Sequence, residues 1–116
     1  MTDREMLELA AKAAGWKSWD WLAGDGVLNV YGEDGRHDTF YPLEDDGDAL
    51  RLAVKLRLIV MTHAAFTAER PMVIVRRVPD VDVEQPFGTD INAAVRRAIT
   101  RAAASIGAAM QPGEKP

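Results

Sequence analysis

The stretch "YPLEDDGDALRLAVKL", residues 41–56, runs from a cluster of acids straight into an amphipathic segment, with a glycine inside the cluster. Glu44, Asp45, Asp46 and Asp48 raise two readings. Several carboxylates close together can hold Mg²⁺ or Ca²⁺. Alternatively, Asp45 or Asp46 accepts hydrogen bonds from the free amides of a first helical turn, with the other acids near the positive end of the helix dipole. The spacing lacks the alternating acids and distal glutamate of an EF-hand loop. Capping therefore outweighs metal binding, and the stretch predicts a helix from Asp46 to about Arg57. Its apolar positions Ala49, Leu50, Ala53, Val54 and Leu56 follow the helical period, and Arg51 and Lys55 flank them four apart.

On the N-terminal side, "VLNVY" (27–31) and Thr39–Tyr41 read as strands across the turn "GEDG" (32–35). Before them, Thr2 and Glu5 form a capping box for a helix through Met6, Leu7, Leu9, Ala10, Ala13 and Ala14, closed by Gly15. The intervening "WKSWDWLAGDG" (16–26) reads as a loop, with glycines at 24 and 26. On the C-terminal side, Leu58–Thr62 and Met72–Val78 are β-branched runs separated by a polar segment, and Pro79 ends the second of them. "DVDVEQPFG" (80–88) reads as a loop despite its short alternation. A long apolar stripe follows, through Ile91, Ala94, Val95, Ala98, Ile99, Ala102, Ala103 and Ile106, with Thr89 or Asp90 as N-cap. Its alanines allow close approach to a neighbouring helix.

The expected fold is α+β, a three-layer α-β-α sandwich in which three helices cover one four-stranded, mostly antiparallel sheet, in the order αββαββα. Residues 1–110 form a single domain and 111–116 a flexible C-terminal tail. No internal repeat stands out. A chain of 116 residues suits one core, and 47% hydrophobic with 28% charged residues is ordinary for a globular protein. The net charge of -4 argues against sequence-independent nucleic-acid binding. With no cysteine, thiol catalysis, disulfides and cysteine-ligated metals are excluded. Neither a signal peptide nor a membrane-spanning run is evident, so a cytoplasmic protein is expected.

Three segments, "LAAKAAGW" (9–16), "PLEDDGDALRLAVKL" (42–56) and "RRAITRAA" (96–103), occur in this order in one known family. The chain resembles the small tailed-phage and prophage proteins of the phage ABA sandwich family. That resemblance implies a phage origin and an α-β-α layered fold. The family has no common assigned activity, so it brings no functional residues with it.

Candidate sites are few. Arg97 and Arg101 share a face of the last helix, beside Arg96, and could clamp a phosphate or carboxylate; a solvated face or pairing with nearby acids competes with that reading. Trp19 and Trp21, alternating with Asp20 if extended, could stack on a ligand, although core plugs are the commoner use of tryptophan. Trp16, Asp45 and Asp48 are candidate partner contacts. His37 and His63 lack the neighbours that a catalytic triad or zinc site would need. No catalytic residue, cofactor or metal is expected. The expected role is a phage-encoded, non-enzymatic binding protein that antagonises a bacterial defence system, sequestering a small nucleotide-like anion or occluding a host protein, with self-association allowed. The alternative is a virion or replication accessory acting through protein contacts. A mimic of nucleic acid is disfavoured by fourteen basic residues.

Overall fold

The computed structural model describes residues 1–22, 27–64 and 71–110. The expectations for Gly24, Gly26, the polar segment at 65–70 and the tail at 111–116 lie outside them. The described elements are helices α1 (Asp3–Ala13), α2 (Asp46–Lys55) and α3 (Ile91–Ala109) and strands β1 (Ser18–Trp21), β2 (Leu28–Tyr31), β3 (His37–Phe40), β4 (Ile59–Ala64), β5 (Met72–Arg77) and β6 (Val81–Pro86).

Each helix begins where a side chain satisfies a free amide. Thr2 Oγ1 accepts from the Glu5 amide at 3.1 Å, Asp45 Oδ2 from Asp48 at 2.7 Å, and Asp90 Oδ1 from Ala93 at 3.1 Å. Asp45 rather than Asp46, and Asp90 rather than Thr89, are therefore the caps. The first two helices end in the same six-to-one and five-to-two bonding pattern. Gly15 (φ 94°) closes α1, with the Trp16 amide on the Ala11 carbonyl. Arg57 (φ 56°) closes α2, with the Leu58 amide on the Ala53 carbonyl.

The six strands form two antiparallel three-stranded sheets, β1-β2-β3 and β4-β5-β6. This corrects the expectation of one four-stranded sheet: the order is αβββαβββα. Both additional strands come from segments read as loops. In β6, Val81 and Val83 are buried while Asp82 and Glu84 are exposed, so the valine-acid alternation is that of a half-buried strand. In β1, Trp19 and Trp21 lie opposite Val30 and Leu28, both fully buried, so the rings take the inward face of the first sheet.

Helix α3 is the hub of the packing, touching α1, α2 and every strand of the second sheet, while α1 also meets β2. One continuous core joins Leu28, Val30 and Phe40 of the first sheet to Val73, Val75, Val81 and Val83 of the second through the alanine-rich helices. Helix α2 turns Ala49, Leu52, Ala53 and Leu56 inward. Leu50 and Val54, expected on the core stripe, instead lie 64% and 69% exposed.

Helices α1 and α3 run parallel. Arg97 bonds Asp3 near their starts and Lys12 Nζ donates to the Met110 carbonyl near their ends. Between these ties a Cβ on Gly107 would fall 2.0 Å from the Leu9 carbonyl oxygen and 2.8 Å from its carbon. Only glycine fits there. Gly107→Ala should therefore destabilise the chain by about 1–3 kcal/mol or more in urea unfolding, although alanine is the better helix former by about 1 kcal/mol.

The β5–β6 turn, which contains a cis Val78–Pro79 peptide, is closed by Arg77, whose Nε donates to Asp80 Oδ1 at 3.0 Å. This hydrogen bond and the guanidinium charge hold the Asp80 carboxyl below its usual range. A depressed carboxylate stabilises the fold above its unfolded pKa, and that contribution disappears as pH falls through the folded value. Asp80→Asn should therefore make stability less steep in pH below about 4, as read by urea unfolding across an acid series.

Candidate functional site

An open cleft of about 620 Å³ lies where the start of α1, the middle of α3 and β6 meet. Its α3 wall presents Arg97 and Arg101, one turn apart, with Ala104 and Ser105 beyond them. Met1 and Met6 supply an apolar side, and β6 closes the cleft with Glu84, Gln85 and Pro86.

Among the described residues, strand β6 is an edge strand, paired only with β5. Arg101 reaches that edge: its Nη1 donates to the Glu84 carbonyl at 2.8 Å and to Gln85 Oε1 at 2.9 Å. These contacts orient the guanidinium while using the donors of a single nitrogen. The planar fork has five N–H groups, and among the described residues those on Nε and Nη2 have no acceptor and remain for a further one. Arg97 donates through Nη2 to Asp3 Oδ1 at 2.8 Å, with side chains 41% and 60% exposed. An ion pair this open is weak and can exchange partners. The cleft thus joins one oriented guanidinium, Arg101, and one in an exchangeable ion pair, Arg97, to a neutral amide and an apolar wall, with Glu84 at its β6 side; the paired guanidinium groups suit an anion attached to an apolar or flat group.

Arg96, their neighbour, has a structural task. Its Nε donates to the Leu43 carbonyl at 2.9 Å and its Nη1 to Asp46 Oδ1 at 2.7 Å, clamping α3 to the segment that leads into α2. The bond to Asp46 raises the guanidinium pKa further above its ordinary value.

The tryptophans do not line the cleft. Trp16, Trp19 and Trp21 are half-buried against the core. Trp21 Nε1 donates to Glu8 Oε1 at 2.9 Å, and the Arg4 guanidinium lies 4.5 Å from its ring centroid. Arg36 sits 4.9 Å from the Trp16 ring. The Trp21 contacts anchor β1 to α1, and the Arg36 contact joins the β2–β3 turn to the α1–β1 connection.

Asp45, Asp46 and Asp48 are engaged in local structure. Asp45 caps α2, and Asp48 accepts from the Tyr41 amide at 2.8 Å and from Arg51. No group of three or more potential metal ligands occurs among the described residues. His37 pairs with Tyr31 in the first sheet, with the rings stacked at 6.4 Å, and His63 falls in β4.

Gln85 and the two methionines escaped the sequence reading. Gln85 continues the inward alternation of Val81 and Val83, so recognising β6 as a strand would have placed it beside α3. Met6 was legible as part of the apolar stripe of α1, but the place of Met1 and Met6 at the cleft was not, because only the parallel docking of α1 brings them to Arg101.

Comparison with protein-family models, curated proteins and solved structures finds no match in any of the three. The phage resemblance stands on its quoted motifs alone.

If the acids serve as caps, Asp45→Ala should cost about 0.5–2 kcal/mol in chemical unfolding. The melting temperature of the natural chain should be the same in excess Mg²⁺, excess Ca²⁺ and a chelator.

Proposed function

We propose that this chain is a non-enzymatic binding protein that holds a small anionic ligand between α3 and β6. The supporting observation is the placement of Arg97 and Arg101 on one wall of a single cleft, with Arg101 pre-oriented by β6. Phosphate or carboxylate oxygens meet the free edges of the two guanidinium groups, and the attached moiety lies against Met1, Met6 and Pro86. A nucleotide has both parts. In the phage setting suggested by the sequence motifs, such a protein would lower the free concentration of a nucleotide signal used by a bacterial defence system.

Asp3 pairs with Arg97 and must yield it to the ligand. Removing the Asp3 charge therefore favours binding, whereas it would merely loosen a structural ion pair. Titration calorimetry against cyclic and linear nucleotides, with inorganic phosphate as the minimal probe, should detect binding. Arg97→Ala and Arg101→Ala should each weaken it by about 1.5–3 kcal/mol, roughly 10- to 150-fold. Asp3→Asn should tighten it. Absence of heat with every anion, or affinity unchanged in the Arg97→Ala/Arg101→Ala double variant, would refute this function.

A further inference from the structure

The two arginines of the cleft are not equivalent. Arg101 commits Nη1 to β6 twice, donating to the Glu84 carbonyl and to Gln85 Oε1. Its remaining N–H groups, on Nε and Nη2, include a parallel pair along one edge of the planar guanidinium, the arrangement that takes two oxygens of one phosphate at once. Because arginine has no acceptor, the oxygen of the Gln85 amide faces Arg101, and the amide nitrogen is a further donor at the same end of the cleft. Glu84 alternates with Gln85 along β6, which turns its carboxylate to the other face of the sheet. The β6 end can therefore satisfy one phosphate group by itself.

Arg97 is drawn to the opposite wall. Its Nη2 donates to Asp3 at the start of α1, whereas Arg101 is held on β6, so the two guanidinium groups splay apart from one face of α3. A phosphate engaged edge-on by Arg101 stays at the β6 end. Arg97 then meets a second anionic group, for which the Asp3 carboxylate is already the stand-in: it places an oxyanion on Arg97 while remaining more than half exposed, so it can leave for water.

We infer that the ligand of this cleft carries two phosphate groups held apart by a spacer, as the sugar holds them in a nucleoside 3′,5′-bisphosphate, rather than one phosphate or two joined as a pyrophosphate. This rests on the anion-binding reading of the cleft and specifies its ligand class. The group at Arg101 displaces nothing; the group at Arg97 displaces Asp3. The spacer crosses the face of α3 between them.

Titration calorimetry of the full chain at one ionic strength can compare adenosine 5′-monophosphate, adenosine 5′-diphosphate and adenosine 3′,5′-bisphosphate. The diphosphate matches the bisphosphate in phosphate count but not in spacing. The bisphosphate should bind at least about tenfold tighter than either of the others. Arg97→Ala should remove that preference, bringing the bisphosphate to within about twofold of the monophosphate, with an unchanged melting temperature because the Asp3 pair is open. Arg101→Lys keeps the charge but loses the two-donor edge, and should weaken all three ligands by about tenfold. Asp3→Asn should favour the bisphosphate more than the monophosphate. Equal affinity for bisphosphate and diphosphate, or an Arg97→Ala chain that loses as much affinity for the monophosphate as for the bisphosphate, would overturn the inference while leaving the anion-binding reading in place. Absence of heat with all three ligands would overturn both.

Discussion

The contact between α1 and α3 is the constraint on which the rest of the structure depends. Two parallel helices can approach until one backbone touches the other only where side chains are missing, and here Gly107 meets the Leu9 carbonyl. Ala10, Ala11, Ala13, Ala98, Ala102 and Ala103 are all buried in the core around the helices. Small residues bring few atoms of their own, so packing energy must come from close fit along the whole seam. That closeness leaves α3 free to reach α2 and the second sheet with its other faces.

The same seam determines the cleft. Arg96, Arg97 and Arg101 occupy one helix, yet tertiary contacts give them different partners: the entry to α2, the start of α1 and the edge of β6. Three like residues thereby become a clamp, an exchangeable ion pair and an oriented donor. The acids divide similarly. Asp45 and Asp48 are absorbed into the start of α2, and Asp46 is shared between that helix and Arg96.

Much of this was legible from local pattern. All three helices, the capping by Thr2 and the hairpin around "GEDG" follow from spacing and turn chemistry. The strands β1 and β6 were harder because each is short and carries acids, and "DVDVEQP" looks like a loop until its outer face is known to meet water. The repetition of a helix followed by three strands was also hidden, since the two halves share element order without an evident sequence repeat. Arg97 and Arg101 were recognisable as a pair; Gln85, Met1 and Met6 were not, for they come together only across the fold.

Helix α2 marks the boundary most plainly. Its sequence determined that residues 46–55 form a helix, where the helix starts, and that two apolar stripes run along it. Periodicity put Leu50 and Val54 on the core side with Ala49, Ala53 and Leu56, but it could not choose between stripes, because Leu50 with Val54 and Ala49 with Leu52, Ala53 and Leu56 each satisfy the helical period. Tertiary packing chose the second: Arg96 clamps the entry to α2 against α3 and orients the helix, leaving Leu50 and Val54 outside. Periodicity along one helix identifies its faces, but the neighbouring helix decides which of them meets the core.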